Sequence, residues 1–156
     1  MKVHYCSRMV AEAGSYSPSA GKPAAVVASW RRLYPALEFV APEPLTAAQL
    51  ALAHDRDYVD GVLALRLPNG FGNCLPGVAA SLPYTSGAMV AAAREALASR
   101  AVGIAPVSGF HHACWDEGGG YCTFNGLVVA AQVLRQEGAV GRAGILDADH
   151  HYGHGT

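Results

Sequence analysis

The stretch Gly144-Ile145-Leu146-Asp147-Ala148-Asp149-His150-His151 constrains the fold of this chain more than any other. An apolar run breaks off abruptly into carboxylates and imidazoles. That pattern predicts a buried strand, Gly144–Asp149, whose carboxyl end opens at a ligand site. Strand period two sends residues 147, 149 and 151 to one side. Carboxylate oxygen and imidazole nitrogen at that spacing suit zinc. Two carboxylates ending an apolar strand also need something to offset their desolvation, and a cation does so. A solvated loop with incidental histidines is the competing reading.

The rest of the chain predicts strands alternating with helices. Val3–Cys6, Leu37–Val40 and Ala101–Val107 read as further strands. Lys22–Leu33, Thr46–His54, Tyr58–Leu65, Thr85–Arg100 and Asn125–Glu137 read as helices. Gly14–Pro23 and Leu67–Pro76 read as loops. The predicted class is α/β, with a mainly parallel sheet flanked by helices. At 156 residues, 51% hydrophobic and 15% charged, one globular domain is expected. A net charge of −1, with no basic cluster beyond Arg31–Arg32, argues against a nucleic-acid partner. No signal peptide or membrane span is visible, and the four cysteines form no CxxC pair. The expectation is a cytoplasmic protein with reduced thiols and no membrane partner. A redox reading would rest only on Cys114 and Cys122, whose spacing fits no redox motif.

Two more segments carry chemistry. Gly109-Phe110-His111-His112-Ala113 places two imidazoles after the predicted strand 101–107, where a general base could stand. Taken alone, adjacent histidines are common on surfaces. Gly118-Gly119-Gly120-Tyr121-Cys122-Thr123-Phe124-Asn125-Gly126 permits positive φ and close backbone approach. Its Tyr121 and Phe124 could line an apolar channel. Taken alone, it is a turn into a helix capped by Thr123 or Asn125.

In order, these segments resemble the histone deacetylase and acetylpolyamine amidohydrolase family. The resemblance is close over 106–126 and 144–156. It is weaker over 17–23, 54–59 and 84–98, and so covers essentially the whole chain. It implies an arginase/deacetylase-like fold, with residues 1–156 forming the N-terminal part of a single domain that is incomplete at its C-terminal side. The Ser17–Pro23 stretch leans towards the acetylpolyamine amidohydrolases.

The implied activity is zinc-dependent removal of acetyl groups from acetylated amines, with acetylpolyamines and acetyl-lysine as alternative substrates. The resemblance casts Asp149 and His151 as zinc ligands and His112 as general base. His111 is the electrostatic or acid partner, oriented by Asp147. A monovalent cation, with potassium the candidate, is implied at Asp147, Asp149 and His151. Gly120 and Tyr121 match the acyl-lysine tunnel, and Cys122 matches a buried, packing cysteine.

Two departures stand out. His154 occupies a position where the family usually has Asp or Asn. The family's third zinc ligand, an Asp, and its transition-state Tyr lie beyond the last motif and have no counterpart here. The expectations are therefore weak zinc binding, little or no activity of this chain alone, and an unpaired sheet edge. Such an edge favours self-association or docking of the missing half. The alternative is a non-catalytic remnant, or a subunit that binds metal or a partner.

Overall fold

A computed structural model describes residues 1–156. Strand β1 (Lys2–His4) pairs in parallel with β2 (Glu38–Val40), with Val3 opposite Phe39. On its other side β1 meets the chain again at Ile104, through a parallel bridge from Val3 and a 2.8 Å bond from the His4 N–H to the Ile104 carbonyl. Three parallel segments thus lie in the order β2, β1, Ile104, which is the α/β arrangement expected, though small. The predicted strand 101–107 shrinks to that one bridge.

Helix α1 (Lys22–Leu33) connects β1 to β2, with Pro23 in its first turn, where a missing N–H does no harm. Helix α2 is one turn, Ala47–Leu50, opened by a reciprocal Thr46–Gln49 capping box. It stops well short of the predicted His54. Helix α3 (Arg56–Leu63) starts earlier than predicted because Asp55 accepts the Tyr58 N–H at 3.0 Å.

Helix α4 runs from Pro76 to Ser99, nine residues more at its start than the sequence predicts. Thr85 and Ser86 are therefore buried in its middle. Thr85 returns its hydroxyl to the Ser81 carbonyl at 3.0 Å. Gly87 lets the 43–45 segment lie against this helix, because a Cβ there would collide with the Glu43 carbonyl. Helix α5 (Gly126–Gln136) matches its prediction, and its cap is Asn125, whose side chain accepts the Val128 N–H at 3.3 Å. No helix is long and apolar enough to cross a membrane.

The core lies among α3, α4 and α5. Leu50, Val59, Val62, Val90, Phe124, Val129 and Val133 are its buried members. Packing of α5 on α4 fixes the direction from which the chain enters and leaves the polar segments.

The predicted buried strand Gly144–Asp149 does not form. Residues 141–152 are all exposed, with Leu146 97% accessible. No backbone N–H of residues 144–148 meets a backbone carbonyl. An apolar run becomes a strand only when a neighbouring strand satisfies its amides, and nothing in this chain lies beside it.

Candidate active site

The histidine pair is held from below by a buried scaffold. His54 is 1% exposed and packs against Tyr58 and Phe124. Its Nδ1–H donates to the Cys114 carbonyl at 2.8 Å, and its Nε2 accepts the Asn125 N–H at 2.8 Å. Both nitrogens are used, so the ring is a neutral, fixed tautomer. Burial depresses its pKa. Tyr58 donates its hydroxyl to the Thr123 carbonyl at 2.8 Å. Helix α3 and the turn before it therefore fix both ends of the 114–125 loop.

On this scaffold stand His111 and His112, ring centroids 4.2 Å apart. The Nδ1–H of His111 donates to Asp147 at 2.7 Å. That bond joins segments 36 residues apart. Behind it, the Gly155 N–H reaches the His111 carbonyl at 2.8 Å, and Asn125 donates to the Thr156 hydroxyl at 2.9 Å. Gly153 and Gly155 are required by the same approach, since a Cβ at 153 would crowd Asp147 and His111, and one at 155 would strike the Ala113 backbone.

Residues 147, 149 and 151 do converge, but strand alternation is not the cause. Asp147 accepts the Asp149 N–H at 3.0 Å, and Asp149 accepts the His151 N–H at 2.7 Å. Two successive side-chain-to-backbone turns fold the motif. These bonds are also the main reason both carboxyls stay below the usual carboxylate range, with imidazole contacts adding to the effect. Both side chains are part-exposed, so desolvation of the carboxylates is outweighed by these hydrogen bonds. The carboxylate side opens onto a groove of about 780 Å³, lined in part by Ile145, Asp147, Asp149 and His151.

Asp149 Oδ1 and His151 Nδ1 are 3.0 Å apart, and Asp149 Oδ1 lies 3.9 Å from His111 Nε2. While the 3.0 Å contact between them is a hydrogen bond, the donor chemistry of the Asp149–His151 pair suits zinc. The count does not: no group of three His, Cys, Asp or Glu side chains gathers around one point. A complete catalytic zinc site is not built by these residues. Of the proposed monovalent-cation donors, Asp147 already spends one oxygen on His111 and the other on the Asp149 N–H.

His112 sits between the two groups, 5.9 Å from His151 and 5.0 Å from His154 by ring centroids. Burial lowers its pKa, and the imidazoles of His111, His154 and His151 add to the effect against Asp149. The shift favours the neutral ring, the form that can accept a proton. Gly120, at φ +54°, lets the His112 ring pass over the loop, because a Cβ there would run into that ring. Tyr121 also has positive φ and is 43% exposed. It faces Phe71, with centroids 5.7 Å apart. Gly120 therefore borders the His112 ring, and Tyr121 beside it faces Phe71. Cys122 is buried, and burial raises its thiol pKa, which fits packing and not nucleophilic attack.

Several participants escaped the sequence reading. His54 was visible only as part of a weakly similar segment. Phe71 lies between two glycines in a loop read as plain. Ser19 contacts Ser108 at 3.1 Å and accepts the Gly109 N–H at 3.3 Å, tying the Ser-rich loop to the histidine loop. None of these carries a local signal. Each acts through a partner 60 or more residues away, or, for Phe71, through Tyr121.

Comparison with known proteins places the chain among its relatives. Acetylpolyamine amidohydrolase 2 of Pseudomonas aeruginosa is 54% identical over 46 residues, which is 30% of this chain and 13% of that protein. Acetylpolyamine amidohydrolase of Mycoplana ramosa is 52% identical over a stretch of the same length, again 13% of its own length. A probable deacetylase of Methanothermobacter thermautotrophicus is 41% identical over 46 residues. Among solved structures, the HDA15 HD domain superposes with a TM-score of 0.82 at 23% identity. It matches 99% of this chain, which spans 48% of that one, and shows a common deacetylase-type fold. Residues 19–156 match the histone deacetylase domain, so the chain belongs to the histone deacetylase family.

Proposed function

We propose that this chain carries the proton-transfer half of a zinc-dependent amide hydrolase acting on acetylated amines. One observation carries the reading: the 2.7 Å bond from His111 to Asp147, which brings the histidine pair to the Asp149–His151 donors. His112 is the proton acceptor for the attacking water. Asp147 holds His111 in one tautomer and orientation, and the positive charge that develops on the pair is offset by that carboxylate. Gly120 and Tyr121, with Phe71, would flank the acyl chain. A bound zinc would supply Lewis acidity and a nucleophile at neutral pH, with Asp149 and His151 as two of its ligands. Acetylated polyamines are the favoured substrates, on the similarity to acetylpolyamine amidohydrolases.

Catalytic zinc has three protein ligands, and this chain gathers two. The 156 residues alone should therefore bind zinc weakly and release little acetate. The test is zinc analysis with an acetate-release assay on an acetylpolyamine and an acetyl-lysine peptide. It is run on this chain and on a fusion carrying the C-terminal half of the Pseudomonas relative. The fusion should turn over and lose activity on His112→Ala. A folded, zinc-loaded fusion that releases no acetate would refute the hydrolase reading. Family-like rates from the short chain would refute its inactivity. The absent three-donor cluster and His154 support a second reading, a non-catalytic metal- or partner-binding subunit.

A further inference from the structure

We propose that His112 and His154 form a chelating site for a divalent ion that takes tetrahedral geometry, such as Zn²⁺ or Co²⁺, separate from the Asp149–His151 pair. The Nδ1 atoms of the two rings face each other at 3.4 Å. Hydrogen bonds from nitrogen centre near about 2.9–3.0 Å and seldom exceed about 3.2 Å. Two nitrogens held at about 2.0–2.1 Å by one tetrahedral ion stand about 3.3–3.4 Å apart. The gap is thus long for a hydrogen bond and equal to the bite of one ion.

The surroundings agree. The Tyr152 carbonyl lies 3.4 Å from His154 Nδ1, so a third donor atom is available at the same spacing. If the rings were hydrogen-bonded, one Nδ1 would have to donate and the other accept. The Tyr152 carbonyl competes for the same proton when His154 is the donor. Neither ring has another partner at Nδ1 that would settle the choice. A cation accepted by both lone pairs and the carbonyl removes the conflict. Imidazole nitrogen favours a transition ion over calcium or magnesium, and the tetrahedral bite favours zinc or cobalt over square-planar copper or nickel. His154 is exposed, so an ion can reach it. With only two side chains contributing, water would complete the coordination.

The proposal does not depend on the hydrolase reading, and its test needs no substrate. Co²⁺ alone is titrated into the 156-residue chain near pH 7.5, followed by calorimetry and by the visible absorption band that intensifies when cobalt becomes tetrahedral. One ion bound through two imidazoles is expected. His154→Asn and His112→Asn should each weaken binding by about tenfold or more, about 1.4 kcal/mol. Each should also abolish the tetrahedral cobalt band. His150→Asn and His151→Asn should change affinity by less than about twofold. Unchanged affinity in His154→Asn would overturn the site. So would an equal loss in His150→Asn, which would mean that the exposed His150–His151 pair takes the ion. If a variant fails to fold, paramagnetic broadening in the unaltered chain decides: it should strike His112 and His154 first, and broadening centred on His150 refutes the site.

Discussion

Gly120 shows how tightly single positions are specified around the histidine pair. It holds a left-handed φ of +54°, and the His112 ring occupies the space a Cβ would need. Gly120→Ala therefore meets two penalties at once, backbone strain and a steric clash. A loss of about 1–3 kcal/mol in urea unfolding is expected, with a displaced His112 resonance. Gly119, which has open space around its Cβ position, should accept Ala with a much smaller loss. The buried histidines set a pH dependence. Burial lowers the pKa of both His4 and His54 below 6.5 in the folded chain. Between those folded values and 6.5 the unfolded chain binds more protons, so stability rises with pH there. It should be complete above about pH 6.5 and fall on acidification, read as the urea midpoint between about pH 7.5 and 5. His4 is also buried with no partner for either ring nitrogen. His4→Leu should therefore stabilise by about 1–3 kcal/mol and flatten part of the acid limb. At this scale the sequence was informative wherever residue type carries the chemistry. Asp147, Asp149 and His151 are singled out by their spacing, and His111 and His112 by the resemblance that joins the segments. The reason they converge was not legible, because hydrogen bonds that carboxylates accept from nearby N–H groups leave the same sequence pattern as a strand end.

Among the elements, α5 and its cap couple the fold to the site. Asn125 accepts the Val128 N–H through its carbonyl oxygen and donates to Thr156 through its amide nitrogen. Asn125→Ala removes both, and a loss of about 0.5–2 kcal/mol is expected in chemical unfolding. Asn125→Asp keeps the acceptor and loses the donor. It should retain most of the stability yet speed hydrogen exchange at the Gly155 amide, which bonds the His111 carbonyl. Equal exchange in both proteins would mean that Thr156 does not need the tether. Helices with a strong cap or a long periodic run were readable, as α1 and α5 show. The start of α4 was hidden because Gly77 and Pro83 look like breakers, while tertiary burial of Val78, Ala79 and Leu82 outweighs them. The 101–107 and 144–149 segments failed as strands for another reason. Strand formation depends on a neighbour, and no property of the segment itself reports whether that neighbour is present.

The molecule as a whole matches a fold of which it spans about half, since it covers 48% of the HDA15 chain. Its core is finished on the side of α3, α4 and α5 and unfinished beyond residue 140. Ile145 and Leu146 are exposed there, 40% and 97%, on a segment with unpaired amides. A short extended segment with apolar side chains and free N–H and C=O groups is a template for strand addition. We expect the isolated chain to self-associate through this edge, or to bind a polypeptide that supplies the complementary strands. Sedimentation should show a concentration-dependent shift above the monomer. Leu146→Lys should suppress that shift, because a charge on an edge segment opposes pairing while leaving the α3–α4–α5 core untouched. Val102, 67% exposed on the far side of the sequence, gives a control position, and Val102→Lys should leave the association in place if residues 144–148 are the edge that pairs. A chain that stays strictly monomeric at high concentration, or that associates equally well with Lys at 146, would place the adhesive surface elsewhere or nowhere.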